Sequence, residues 1–368
     1  MLTRLYVDNF RCFEEFEYTP ARNELILGGN GAGKSTLFDV LLILRQLVAK
    51  GDALDDYHLL RQRTRWLDKT EITFELDATI DGDAFKYRIL IDPWGEPARP
   101  RVRCETLFFE GKAIFEFHKG EVHLYNDHFE NKVTYPFDWH RPALATISRR
   151  KDNLKLMRFK DWLSTLFCFR LNPFSMGSRA EGESPYPNVD LSNFAGWYRH
   201  LIQTHPIENA ELMKSLSAAL DDFRILRFEA AGENVSLLAA EFGSPDTKVN
   251  RFYFNELSDG QRCLIAIYTI LHFVLAMGST VLLDEPDNFL SLRETQPWLS
   301  AVEDIIETSK GQVLLISHHP EIINQWAPDS GVQMVRSGSG PVRIEKFLGD
   351  PESPLTAAEL IARGWDSE

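Results

Sequence analysis

The sequence predicts an α/β fold with a mostly parallel core sheet, an antiparallel β-meander and a helical lobe. Three observations predict it. NELILGG (23–29) reads as a strand running straight into a glycine-rich loop, and STLFDVLLILRQLVAK follows with Leu37, Val40, Leu41, Leu44, Leu47 and Val48 at helical spacing. From Glu71 to about Phe137, short alternating runs are broken by turn signals at Asp81-Gly82, Glu110-Gly111-Lys112 and Lys119-Gly120-Glu121, the pattern of an antiparallel meander. The last third alternates helix 260–277, strand 280–284, helix 291–309, strand 312–317 and a helix from Pro320, an order that implies parallel strands with crossover helices.

The remaining elements fall between these. LTRLYVDNF reads as an opening strand. Asn153–Arg170 and Leu191–Phe223 read as helices, separated by the loop GSRAEGESPYPN, which the spacing predicts to be mobile. Two strands surround Gly232-Glu233-Asn234, and LSDGQR (257–262) then opens a long apolar run. The expected division is a core lobe carrying the glycine-rich loop at 1–50 and 278–350, an antiparallel β subdomain at 70–140, a helical lobe at 141–277 and a C-terminal tail at 351–368. No internal repeat is evident.

The chain has 368 residues, 44% of them apolar, enough for a sizeable core. Its formal net charge of -14 argues against a surface that coats nucleic acid or anionic membrane. Cys12, Cys104, Cys168 and Cys263 are scattered without a CxxC pair, which fits reduced thiols in a cytoplasm. MLTRLYVDNFRCFEE lacks the features of a signal peptide. Cys263–Leu283 is uncharged and long enough on paper to span a bilayer, but His272 and Gly278-Ser279-Thr280 interrupt it and favour a buried helix and a short strand.

Gly28-Gly29-Asn30-Gly31-Ala32-Gly33-Lys34-Ser35 fits G-x-x-x-x-G-K-[ST]. Its backbone N–H groups and the helix N-terminus suit phosphate oxygens, Lys34 reaches the outer phosphates, and the Ser35 hydroxyl suits magnesium. Thr36 continues the turn. VLLDEP is an apolar strand ending in two carboxylates: Asp284 is expected to complete the metal shell, and Glu285 to orient and deprotonate water. QVLLISHHP is a second such strand. His318, directly beyond it, is the candidate to sense a terminal phosphate, with His319 as the other choice. Ser258-x-x-Gln261 is a capping box, and a capped helix N-terminus with Ser258 and Gly260 beside it is also an anion site. It stands 225 residues beyond Gly33, so it is expected on a different lobe.

LSDGQ resembles the signature of ABC-type ATPases, and GGNGAGKST, VLLDEP and SHHP supply that class's other nucleotide motifs in order. NFRCFEEFEY and DLSNF (190–194) further resemble the RecF, SMC and OLD-like branch. The resemblance implies a P-loop NTPase head of ABC type with ATP and magnesium as cofactors. It also implies that Ser258, Gly260 and Gln261 of one subunit grip the terminal phosphate of ATP held by the Gly28, Asn30–Lys34 and Ser35-Thr36 loop of the other, in a head-to-tail homodimer. Asn288 and Ser291 are the local polar candidates for contact between subunits. The branch's lobe-coupling glutamine is not evident, with Gln46 and Gln62 as guesses.

RPALATISRRKDNLKLMRFKDW concentrates Arg141, Arg149, Arg150, Lys151, Lys155, Arg158 and Lys160 with Phe159 and Trp162, a composition compatible with DNA or with a solvated helix face. The fifty residues after His318 are expected to be too few for the nuclease domain of OLD-like proteins, so a separately encoded nuclease or toxin would do any cutting. The expected role is an ATP-hydrolysing dimeric switch in DNA repair or antiphage defence. The rivals are a transporter's energy subunit and a nucleotide-dependent scaffold with little turnover.

Overall fold

The computed structural model describes residues 1–244, 248–349 and 354–363 and divides them into two compact units. The first unit comprises Met1–Phe167 and Val332–Phe347. It opens with β1 (Leu2–Asp8), β2 (Phe16–Tyr18), β3 (Asn23–Leu27) and α1 (Lys34–Arg45), which widens into a π-type turn at Gln46–Lys50. Then come β4 (Ile72–Ile80), β5 (Asp83–Trp94), β6 (Arg99–Phe109), β7 (Lys112–His118), β8 (Glu121–Tyr125) and β9 (Asn131–Pro136). The short α2 (Ala143–Thr146), α3 (Leu154–Ser164) and β10 (Leu166–Phe169) complete the run.

The meander closes with β1 and β2 into one eight-stranded antiparallel sheet, ordered β2-β1-β4-β5-β6-β7-β8-β9. Its hairpin turns fall at the turn signals. Asp81-Gly82, Glu110-Gly111 and Lys119-Gly120 all have positive φ, the backbone that two-residue hairpins require. Along β4, buried Ile72, Phe74, Leu76 and Ala78 alternate with half-buried polar residues, so one face of the sheet is core and the other is solvated.

Every apolar residue predicted for α1 and its extension is fully buried. The helix expected over Asn153–Arg170 instead ends at Ser164, and its last residues become β10. Thr165 caps the helix, and LFCF is richer in strand formers than in helix formers.

The second unit comprises Cys168–Gly331 and the described residues from Leu348 onward. It contains β11 (Arg179–Ala180), α4 (Phe194–Thr204), α5 (Pro206–Ala219), β12 (Phe223–Ala230), β13 (Ser236–Phe242) and β14 (Asn250–Tyr253). The single helix expected over Leu191–Phe223 is two, because Pro206 has no N–H to continue the first and starts the second. The loop expected to be mobile holds β11, which pairs with β13, and is pinned by Ser184 N donating to Gly196 O at 3.0 Å.

Next come α6 (Asp259–Ile270), β15 (Thr280–Asp284), α7 (Leu292–Thr308), β16 (Gln312–Ile316) and α8 (Pro320–Ser330). The helix predicted to Met277 passes into a π-type turn at Leu271–Leu275, where His272 meets the Ser215 hydroxyl at 2.8 Å. β15 and β16 pair in parallel, register Thr280↔Gln312 to Asp284↔Ile316, and their apolar residues are buried throughout. Such unbroken apolar runs belong to strands covered on both faces.

The chain returns to the first unit as the antiparallel pair β17 (Gly331–Arg336) and β18 (Val342–Lys346), and α9 (Ala357–Arg363) lies in the C-terminal tail. Of that tail, 351–353 and 364–368 lie outside the described residues, as does residue 350 at the end of the expected core lobe. Among the described residues no helix is long and apolar enough to cross a membrane.

Candidate functional site

In the first unit, the loop after β3 turns back on itself before α1. Ala32 N donates to Gly29 O at 3.2 Å, and Leu37 N donates to Gly33 O at 3.0 Å as the helix begins. Gly28 has φ 141°, and a Cβ there would lie 2.5 Å from the carbonyl oxygen of Met334, so only glycine lets the loop pass this close to β17. The Lys34 ammonium donates to Gly28 O at 2.5 Å and Gly29 O at 3.2 Å, which curls it over the loop. A cavity of about 340 Å³ opens beside it, lined by Gly29–Ala32, Gln333–Arg336 and Gly338.

Arg336 projects into this cavity, donating to Gly340 O at 2.9 Å and Gly31 O at 3.4 Å, with its guanidinium 5.7 Å from the Trp66 ring. Sequence reasoning missed Arg336, since nothing in MVRSGSG marks proximity to a loop 305 residues earlier. Gln62 accepts from Arg11 Nε at 2.7 Å, and the buried Oε1 of Gln46 has no hydrogen-bond partner among the described residues.

In the second unit Asp284, Glu285 and His318 fall at the carboxyl ends of β15 and β16. Asp284 is half-buried, and its Oδ2 accepts from Arg170 Nε at 2.7 Å. Glu285 takes the left-handed conformation, φ 50°, and its N–H donates to Ile316 O at 2.9 Å. Asn288 Nδ2 donates to Glu285 Oε2 at 3.0 Å, and His318 Nε2 lies 3.8 Å from Glu285 Oε1.

The two histidines have separate surroundings. His319 caps α8, its Nδ1 accepting from Glu321 N at 3.2 Å, whereas His318 is exposed and faces Glu285. Asp287 is buried beneath this turn. Its Oδ1 finds no hydrogen-bond partner among the described residues, and burial raises its pKa against the opposing bond from Ser317.

The capping box is present at α6. Gln261 N donates to Ser258 Oγ at 3.2 Å, and Ser258 N donates to Gln261 Oε1 at 3.1 Å. The sequence did not show why the signature carries glycine at 260: a Cβ there would lie 2.9 Å from Phe289 O. Arg262, one turn into α6, is bonded to Asp259 and Pro173 O.

The basic stretch looks different once folded. Phe159 and Trp162 are core residues, so the expected base-stacking aromatics are not available. Phe159 packs against Phe85 and Tyr87, and Trp162 against Phe159, because α3 turns its apolar face to the sheet. Arg149 is paired with Asp161, Arg158 with Asp83 at 2.7 Å, and Lys155 donates to Asp127 O at 2.7 Å beneath the Phe129 ring. Arg150 and Lys151 are exposed.

Residues 190–324 match the family described as an AAA domain, putative AbiEii toxin of a type IV toxin–antitoxin system. The match covers less than half of the chain and includes LSDGQ, VLLDEP and SHHP. The whole chain is similar in structure to an SMC head bound to the C-terminal winged-helix domain of ScpA, at 12% identity and TM-score 0.56, over 94% of this chain and 96% of that one. An SMC head with an extended coiled coil, bound to the C-terminal domain of ScpA from Pyrococcus furiosus, is similar at 10% identity and TM-score 0.56, over 99% and 98%. Comparison with curated proteins gives no match. The chain therefore has the fold of the SMC heads, the P-loop fold of ABC type.

Proposed function

We propose that the chain binds and hydrolyses ATP with magnesium and that nucleotide closes two copies head to tail. The observation that carries the reading is the Glu285 turn, which presents a carboxylate held by Asn288 and faced by His318 at the end of a buried parallel strand. That position and partner set suit a general base for water. In this reading the phosphate loop binds the nucleotide, with Lys34 exchanging its loop carbonyls for phosphate oxygens. Ser35 and Asp284 offer hard oxygen donors suited to magnesium, which when bound would offset charge on the phosphates. Glu285 takes a proton from water, and His318 hydrogen-bonds the terminal phosphate. Ser258, Gly260 and Gln261 would bind the terminal phosphate on the opposite copy, because a capped helix N-terminus favours an anion.

Support for a separately encoded partner comes from the neighbours, which are SMC heads bound to ScpA domains, and from the matched family's description as a putative toxin. A role in DNA maintenance or antiphage defence is what the resemblance of LSDGQ, NFRCFEEFEY and DLSNF to the RecF, SMC and OLD-like branch implies. The test is a pair of variants assayed for ATP binding and phosphate release. Lys34→Ala is expected to weaken ATP binding by about two orders of magnitude or more. Glu285→Gln is expected to keep binding while turnover falls about 10²-fold or more. Parent-rate hydrolysis by Glu285→Gln would remove Glu285 from the role of base.

A further inference from the structure

Three contacts in the second unit connect the acidic strand end to the first turn of α6 through a single short segment, residues 170–176. At one end, Arg170 Nε donates to Asp284 Oδ2 at 2.7 Å. At the other, Arg262 donates to Pro173 O and, at 3.4 Å, to Met176 O, while its second amino group is bonded to Asp259. Between them the segment is braced by Phe174 N donating to Asn172 Oδ1 at 3.2 Å and Ser175 Oγ donating to Asn172 O at 2.9 Å. The ring of Phe174 also lies edge-on to Phe289, whose carbonyl oxygen sits against Gly260. The backbone of the segment is also anchored, Arg170 N donating to Val189 O at 2.8 Å and Asn172 N to Asp190 O at 3.4 Å, so a change at either end is passed along a stiff turn.

We propose that residues 170–176 form a strap that reports the state of Asp284 to the signature helix, with Arg170 as the positioning residue that holds the strap closed. A cation bound at Asp284 and the Arg170 guanidinium compete for the same carboxylate oxygen. When a divalent cation takes that oxygen, Arg170 is displaced, the Pro173 and Met176 carbonyls shift, and the first turn of α6 follows through Arg262. This rests on the reading that Asp284 is a magnesium ligand, and the experiment separates the two.

The probe is magnesium titrated into full-length protein with ATP present, read in two ways: apparent magnesium affinity, and amide hydrogen exchange across 258–263. In the parent protein, magnesium is expected to change exchange at 258–263. Arg170→Ala is expected to bind magnesium about three- to tenfold more tightly, the scale of removing a half-exposed charge-assisted bond, and to show exchange at 258–263 that no longer responds to magnesium. Arg170→Lys, which keeps the charge but not the planar donor, is expected to fall between them. Arg262→Ala is expected to keep the parent's magnesium affinity and lose the exchange response. Parent affinity and parent exchange in Arg170→Ala would overturn the strap. Asp284→Asn is expected to weaken magnesium binding whatever the strap does; if it does not, the metal-ligand reading fails instead.

Discussion

Glu105 buries a carboxyl with no solvent contact, accepting from the Tyr87 hydroxyl at 2.8 Å and from Ala143 N at 2.7 Å. Burial pushes its pKa up to about 7, and these two bonds with a third from Leu144 N at 3.3 Å only partly oppose that. The unfolded chain holds the same proton near the ordinary glutamate value of about 4.3, so between the two values the folded state binds more protons. Stability from this group is therefore full below the unfolded pKa and is lost as pH rises through about 7. Glu105→Gln mimics the protonated form. It is expected to gain stability relative to the parent as pH rises from about 5 to about 8, by a few kcal/mol at most. A parallel pH dependence of the two proteins in denaturant melts would show that Glu105 does not titrate in this way. Nothing in RCETLFF marks Glu105 as buried, because its partners come from β5 and from α2, 38 residues on.

The first turn of α6 carries both its cap and the groups proposed to bind phosphate. Gly260→Ala brings a methyl to within 2.9 Å of Phe289 O, so the backbone must give way. The expected loss is about 1–3 kcal/mol, with a lower melting temperature as the check. Ser258→Ala removes the cap and is expected to lose about 1 kcal/mol, measurable without nucleotide. An unchanged melt for either would separate the turn from the packing described.

Elements were legible in the sequence where their cause is local. The strand–loop–helix at 23–45, the capping box and the three glycine hairpin turns each follow from residues within a few positions. The helix end at Ser164 and the break at Pro206 were also local, but helical apolar spacing obscured them. Contacts set by tertiary structure were not legible: Arg170 on Asp284, Arg336 beside Gly31, and the burial of Phe159 and Trp162 all pair residues distant in sequence. The nucleotide motifs announced themselves by spacing. Their supporting arginines carry no such spacing.

In the proposed switch, a nucleotide bound by one copy is completed by the Ser258 turn of another. With a formal charge of -14 on each chain, two copies repel at long range, so closure must draw on local contacts at the nucleotide. Blocking hydrolysis should then accumulate the closed state. The most direct measurement is the solution mass of Glu285→Gln by light scattering, with ATP and magnesium and with neither. A doubling of mass with nucleotide is expected, abolished by adding Ser258→Arg, whose bulk and charge disrupt the capped turn. A mass that stays at one chain under saturating nucleotide would contradict it.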